Sequence, residues 1–394
     1  MMQRKTINTI YAIFLLLTWP ILADGQQQIK SESKLDDTQI SILTCGSGDE
    51  LYSTFGHVAI RIYNKDNDID QVYNYGMFDF KTPNFYIKFM RGLLPYSIGS
   101  SSYSRFLQGY HHEKRSVIEQ VLNLDVREKK HIIEYLKNNM KKENRKYKYD
   151  FFLDNCSTRL LDLFNNLPGD LSFSSKLKPL TFRDLLKENL HSLRWEDFGI
   201  DLVIGARSDR LTTRRHQMFL PSYLKENIEA ATFETSDNSR LFAQPSNIVL
   251  DFEELAKNRN TSSPNIPLYV MIGLLLLTII VNIKNSKFQK FYNKSLLFIA
   301  GILGLFLLFM WFGTAHDATK DNWNVLWLCP LWLVLPFVKN TFKTYLIYFL
   351  FVLLFIAGVN SVFQFLPQFF NFTFLPLILS ISISGWIEYC SNKY

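Results

Sequence analysis

The stretch FLDNCSTRLLDLF, Phe152 to Phe164, sets a cysteine immediately before a run whose apolar residues, Leu160, Leu161, Phe164 and then Leu167, recur at helical spacing. In an oxidising compartment a free thiol is exposed to oxidation, so Cys156 is there either to form a disulfide or to do chemistry. The N-terminus says which compartment applies. Met1 to Ala23 opens with Arg4 and Lys5, runs through IYAIFLLLTWPILA, and turns polar at DGQQQIKSESK. That is the shape of a secretory signal peptide with Ala23 as cleavage residue. An uncleaved anchor is the alternative, because Ile21 replaces the usual small residue. Both readings deliver the chain after Asp24 across a membrane.

A near-zero mean hydropathy over 394 residues averages a polar front and an apolar back. The net charge of +7 does not indicate a nucleic-acid partner, because the lysines are dispersed and several flank apolar spans, where membrane topology accounts for them. Neither GxGxxG nor a Walker pattern occurs, so nucleotide chemistry has no foothold.

Working outward from Cys156, ISILTC reads as a strand leading into GSGDELYSTFGHVAIRIYN. There Val58, Ile60 and Ile62 alternate with His57, Ala59 and Arg61, which places His57 on the opposite face of a half-buried strand from the valine and isoleucines. NKDNDID is a turn and QVYNYGMFDF a second strand, giving a hairpin. RSVIEQVLNL is another strand, and REKKHIIEYLKNNMKKEN is a helix with Ile132, Ile133, Leu136 and Met140 on one face. Helices follow over YDFFLDNCSTRLLDLF, over TFRDLLKENL with Thr181 as N-cap, and around QMFLPSYLKENIEAA. The pattern predicts one α+β exported domain over residues 24–257, a polar linker over 258–267, and an all-α membrane domain over 268–394.

Five apolar segments occupy that last region: Leu268 to Ile283, Leu296 to Phe312, Trp323 to Phe337, Tyr345 to Val359 and Phe370 to Ile387. Several fall short of the ~20 residues that cross a bilayer untilted, but apolar shoulders and flanking Trp and Lys make five transmembrane helices the economical count. Lys284, Lys287, Lys290 and Lys294 in one connecting loop, and Lys339 and Lys343 in another, mark those loops as cytoplasmic. The loop GTAHDATKDNWN and the front domain then share the outer side, in agreement with the export signal.

Only Cys45 and Cys156 lie in the exported domain, so a Cys45–Cys156 disulfide is one reading. The other is a working thiol. A cysteine at the first turn of a helix sits where backbone N–H groups and the helix dipole favour thiolate. His57 is the candidate base, oriented by Asn74, Tyr73 or Tyr75 on the neighbouring strand. The N–H groups of Cys156 and Ser157 are the candidate oxyanion donors. His316, Asp317, Asn322 and Asn324 lie in one short outer loop, and His316, Asn322 and Asn324 are candidates for holding a lipid headgroup or the substrate's terminus. Adjacent His111 and His112 with Glu113 do not complete a metal-ligand set, and no cofactor is implied.

The stretches TCGSGDELYSTFGHVAIRIYN, YNYGMFDF, YDFFLDNCSTRLLDLF and WFGTAHDATKDNWNVLWLCPLWL resemble the Lnb family of bacterial membrane proteins, the lipoprotein N-acyltransferases of Bacteroidota-type bacteria. The similarity covers essentially the whole mature chain. It implies a permuted papain-like, NlpC-related thiol domain in which the histidine strand precedes the cysteine helix, with His57 and Cys156 at the family's histidine and cysteine. It also implies an inner-membrane protein whose catalytic domain is periplasmic. Asn74 as the third residue rests on strand placement, not on the resemblance. One departure is visible: the family's usual Pro-Gly after the first cysteine reads Gly46-Ser47-Gly48, which predicts a more mobile loop.

The expected reaction is a two-step acyl transfer. His57 deprotonates Cys156, the thiolate takes an acyl chain from a membrane phospholipid as a thioester, and, as the resemblance implies, the acceptor is the α-amine of the diacylglyceryl-cysteine at a lipoprotein N-terminus. Two rivals stand beside it. One is a membrane-tethered cysteine peptidase or amidase acting on cell-wall peptide, and the other a disulfide-stabilised binding module without catalysis.

Overall fold

A computed structural model describes residues 35–174, 176–190, 193–236, 238–258, 265–283, 287–338 and 340–391. The signal segment, most of the expected linker, Lys284 and Lys339 lie outside these residues.

Among the described residues ten strands are present: β1 (Gln39–Cys45), β2 (His57–Asn64), β3 (Ile69–Met77), β4 (Pro95–Ser102), β5 (Val117–Val121), β6 (Lys146–Lys148), β7 (Asp170–Phe173), β8 (Ala231–Glu234), β9 (Ser239–Leu241) and β10 (Asn247–Leu250). Seven form one antiparallel sheet in the order β10-β5-β1-β2-β3-β4-β6, and β7-β8-β9 form a small second sheet. The exported domain's described helices include α1 (Phe85–Met90), α2 (Tyr103–His112), α3 (Val126–Met140), α4 (Cys156–Asn165), α5 (Phe182–Leu190), α6 (Arg194–Val203) and α7 (Pro221–Glu229), with further short helices at Arg214–Gln217 and Glu253–Asn258.

The alternation read in β2 divides the domain into layers. Val58, Ile60 and Ile62 face Leu160, Leu161, Leu163 and Phe164 of α4 and Ile132 and Leu136 of α3. On the other face Leu43, Cys45, Ala59, Val72 and Val117 pack against Phe106 of α2. Each such aliphatic side chain removed from water stabilises by about 1.5–3 kcal/mol, so the sheet's two faces fix where α4 can lie. Thr181 caps α5 as expected, its hydroxyl accepting from the Asp184 N–H at 3.1 Å. The Gly46–Gly48 loop is tied at both ends: Gly46 N–H donates to Ser116 O, Gly48 N–H to Ser53 O, and Arg115 Nε to Gly46 O.

Strand β4 escapes sequence reading because PYSIGSSS is rich in serine and glycine. Its pairing with β3, not its own propensity, makes it a strand.

The membrane domain holds α8 (Ile266–Val281), α9 (Lys287–Phe312), α10 (Asn340–Phe363) and α11 (Leu375–Ser391). Among the described residues, three helices have the length and apolar character to cross a membrane, and α8 is shorter. The third apolar segment departs from the expected helix, forming only short pieces at Trp323–Leu326, Leu331–Val334 and Leu335–Phe337. Pro330 and Pro336 interrupt any helical ladder there. The broken segment is wedged along α9: a Cβ on Gly304 would lie 1.6 Å from Leu328 O, and one on Gly301 would lie 2.6 Å from the Leu333 side chain. Those glycines let irregular backbone press directly against a helix, buried in protein as such backbone must be at membrane depth.

Exported and membrane domains are locked together. Buried Arg183 pairs with Asp201 at 2.5 Å and Asp209 at 2.7 Å. Asn371 Nδ2 reaches Asp201 Oδ2 at 2.8 Å, and the Phe369 N–H reaches Asp209 Oδ2 at 3.2 Å. The outer loop joins them: Gly205 N–H donates to Ala318 O, Ala206 N–H to Asp321 O, and Arg207 pairs with Asp317 and Asp321. The loop expected on the exported domain's side is thus in contact with it.

Candidate active site

Helix α4 starts at Cys156 because Asn155 caps it. Asn155 Oδ1 accepts from the Ser157 and Thr158 N–H groups at 2.9 and 3.0 Å, while the Asn155 N–H donates to Thr158 Oγ1 at 2.8 Å. Asn155 Nδ2 is itself held by Phe151 O and Phe219 O. Asn155 was not picked out from the sequence, although the signal was there: a polar cap residue followed three positions later by Thr158.

This cap corrects one assignment. The Ser157 N–H, expected to face an oxyanion, is committed to Asn155, which leaves the Cys156 N–H as the donor at the helix start. Ser157 contributes differently: its fully buried hydroxyl has no nitrogen or oxygen partner and lies within hydrogen-bonding reach of the Cys156 sulfur.

His57 opens β2 after Gly56, whose φ of +77° and close approach to Cys45 O, 2.7 Å from an added Cβ, suit only glycine. By alternation His57 belongs to the face of Cys45 and Ala59, away from the face that packs on α4. It nonetheless interacts with Cys156. The reason is position. The registered β2–β3 ladder runs from Asn64–Ile69 to Ile60–Tyr73 and stops there, and the β3–β4 pairing is irregular between Asn74 and Met77. At this opening Gly76, with φ of +85°, borders Cys156, an added Cβ lying 4.0 Å from Cys156 Cβ. The helix start and the strand end meet across a seam where Gly76 takes a positive φ that side-chain-bearing residues rarely adopt.

Asn74 completes the group. Its Oδ1 lies 3.3 Å from His57 Nε2, so with Asn74 as acceptor Nε2 carries the proton and Nδ1 is free to act as base. Tyr73 and Tyr75, the alternatives for this role, pack with the core on the other face.

Burial alone pushes the Cys156 thiol up, but the charge of His57, hydrogen bonding with His57, the Val58 N–H and the Ser157 hydroxyl outweigh it, and the net shift is down from the ordinary thiol value. For His57 burial pulls down, while the charge of Cys156 and hydrogen bonds to Cys156 and Asn74 prevail, and the net shift is up. Each group thus favours the charged form of the other, the histidine drawing the thiol down and the thiol drawing the histidine up. Cys156 is 9 % exposed, so the pair is nearly dry yet reachable.

Two tyrosines missed in the sequence line the same seam. Tyr149 approaches Gly76 and stacks on Tyr96 at 4.2 Å between centroids, and Tyr147 lies under Arg159, which pairs with Asp154. Burial raises the pKa of both phenols.

Cys45 is not bridged to Cys156: both are free thiols, in clusters on opposite faces of the sheet. Burial pushes the Cys45 thiol up to about 12, and it hydrogen bonds with Tyr110. It remains a protonated core residue.

The outer-loop candidates are not brought to the thiol. Asn322 is fully buried, its Nδ2 donating to Leu202 O and Val203 O and its Oδ1 accepting from Asn324 N–H and Gln368 Nε2. Asn324, also fully buried, donates to Asp201 O and Leu202 O and accepts from Trp327 Nε1. Their bonding is spent on joining α6 to the membrane domain. His316 is exposed to intermediate degree and bonds to Phe89 O at 3.1 Å, anchoring α1. Just before β5, Glu113 pairs with Arg115 and His111 meets the Phe252 ring.

Two family models match the chain. The model described as the Lnb N-terminal periplasmic domain matches residues 25–188, which include His57, Asn74 and Cys156, and that described as the Lnb transmembrane domain matches residues 256–394. No curated protein and no solved structure matches the chain.

Proposed function

From the premise that the chain belongs to the Lnb family, a membrane protein with a periplasmic domain, we propose that it moves an acyl chain from a membrane phospholipid, through a thioester on Cys156, to the α-amine of a lipoprotein's diacylglyceryl-cysteine. The observation that carries this reading is the placing of Cys156 at a helix start beside His57, whose ring is held by Asn74, in a domain bolted to the outer loop of a membrane domain.

In the first step the Cys156 thiolate attacks the ester carbonyl carbon of the phospholipid. The Cys156 N–H and the α4 dipole stabilise the oxyanion, and imidazolium His57 protonates the departing lysophospholipid alkoxide, leaving a thioester. In the second, His57, now neutral, takes the proton from the attacking α-amine, the C–N bond forms, and the thiolate leaves. An α-amine, with a pKa near about 8, is partly unprotonated at neutral pH and outcompetes water once both are held at the thioester. Asn74 keeps the imidazole turned through both steps. A membrane domain serves this chemistry because donor and acceptor both reside in the bilayer. A helix-borne cysteine facing a strand-borne histidine is also the arrangement of a permuted papain-like domain, which supports that fold reading.

The test uses full-length protein in vesicles containing phospholipid with a labelled chain and a synthetic diacylglyceryl-cysteine peptide. Label in a hydroxylamine-resistant amide on the peptide N-terminus is expected. Release of free fatty acid alone, or cleavage of cell-wall peptide, would place the protein among hydrolases.

A further inference from the structure

The segment Phe78 to Leu93, which carries α1, exposes Phe80 (65 %), Tyr86 (78 %), Ile87 (56 %), Phe89 (52 %), Met90 (40 %) and Leu93 (47 %). A contiguous run of large apolar side chains left open to this extent marks a surface that something covers. We propose that it lies in the outer leaflet of the bilayer, with its aromatic side chains among the lipid acyl chains.

Three observations point to lipid as occupant. First, the segment is pinned at the level where the membrane domain ends. The Ala315 N–H donates to Arg91 O at 2.9 Å, His316 bonds to Phe89 O, and Gly92, at φ +65°, packs so closely on His316 that an added Cβ would lie 3.2 Å from the imidazole ring. Those partners begin three residues beyond the end of α9, a 26-residue helix of membrane-spanning length. Second, α9 ends in Trp311 and Phe312, stacked on each other, with Phe312 73 % exposed, as aromatic side chains at a bilayer interface are. Third, the segment carries Lys81, Lys88 and Arg91 against the single acid Asp79, a charge balance that suits lipid phosphates and lets cations remain at headgroup level above buried aromatics.

The apolar surface leads inward. Phe80 meets Phe78, Phe78 meets Tyr96 at 5.5 Å, Tyr96 stacks on Tyr149, and Tyr149 borders Gly76 beside Cys156. Resting on the acyltransferase reading, this row of rings is the path along which an acyl chain passes from the leaflet to the thiol.

The experiment places Tyr86→Trp in the full chain, reconstituted in phosphatidylcholine and phosphatidylglycerol vesicles, and reads its emission against the unsubstituted protein. A blue shift is expected, with quenching stronger by lipid brominated near the carbonyl end of its chains than near the methyl end. Quenching by aqueous iodide with none by brominated lipid would overturn the proposal in favour of a water-facing surface. Emission that depends on protein-to-lipid ratio, again without bromolipid quenching, would overturn it in favour of a second copy of the chain. For the path, Ile87→Asp with Phe89→Asp is expected to slow acylation of Cys156 by vesicle phospholipid roughly tenfold or more, with alkylation of Cys156 by iodoacetamide unchanged. An equal slowing of both overturns the path. Should the unsubstituted protein take no acyl group at all, the proposed function fails while the quenching still decides the insertion.

Discussion

Two buried polar groups of this molecule are made of similar residues and do opposite things. Asn322, Asn324 and Gln368 bring their side-chain amides to backbone carbonyls of Asp201, Leu202, Val203 and Ile204, and their oxygens to Trp323, Asn324 and Trp327 donors and to each other. Nothing is left over. At the seam between β2 and α4, by contrast, His57 uses one ring nitrogen on Asn74 and interacts with Cys156, and the Ser157 hydroxyl lacks a nitrogen or oxygen partner. A saturated polar cluster fixes a joint, whereas an unsaturated one holds capacity for a reacting group. Buried polarity alone therefore does not mark a site; unspent hydrogen bonding beside a nucleophile does.

The contrast can be broken by substitution. Cys156→Ala should abolish labelled-chain transfer, a loss on the order of 10³-fold or more, without moving the unfolding midpoint. Asn322→Ala should do the reverse: the orphaned Val203 carbonyl costs about 1–3 kcal/mol, visible in thermal unfolding of the detergent-solubilised chain, with Cys156 alkylation below the transition as in the unsubstituted protein. A change in alkylation instead would show that the joint reaches into the chemistry.

Smaller effects sharpen the picture. Because the charge of His57 and hydrogen bonding shift the Cys156 thiol down, alkylation should rise at pH below the ordinary thiol range. His57→Ala leaves burial uncompensated and should move that rise to higher pH. Asn74 raises the pKa of His57, so Asn74→Ala should lower the pH at which the imidazolium is lost and cut transfer by about tenfold, and Asn74→Gln should recover part of it. Ser157→Ala should have the least effect, a slight upward shift of the alkylation profile, since the Asn155 cap keeps the backbone in place.

How much of this was legible follows the same physics. Helix α4, the β2–β3 hairpin, His57 and Cys156 could be read because apolar period and chemical type are local properties of the chain. Asn74 came from strand adjacency, and a hydrogen bond now joins it to His57. Three things depended on packing that no local pattern records. The Ser157 N–H is spent on a cap, Asn322 and Asn324 are consumed by α6, and the third apolar segment is broken by Pro330 and Pro336 and wedged against Gly304 instead of forming a helix. The reach of His57 across the sheet edge belongs with them. Strict alternation turns it away from α4, and only the early stop of the β2–β3 ladder brings it to the thiol.

The central claim is that Cys156 carries the acyl group, and peptide mass spectrometry of the protein incubated with phospholipid vesicles tests it most directly. The account predicts a hydroxylamine-sensitive fatty-acyl adduct on the Cys156 peptide that disappears in His57→Ala. A Cys156 peptide that stays unmodified under turnover while labelled chain still reaches the acceptor would contradict it, because transfer would then proceed without the thioester.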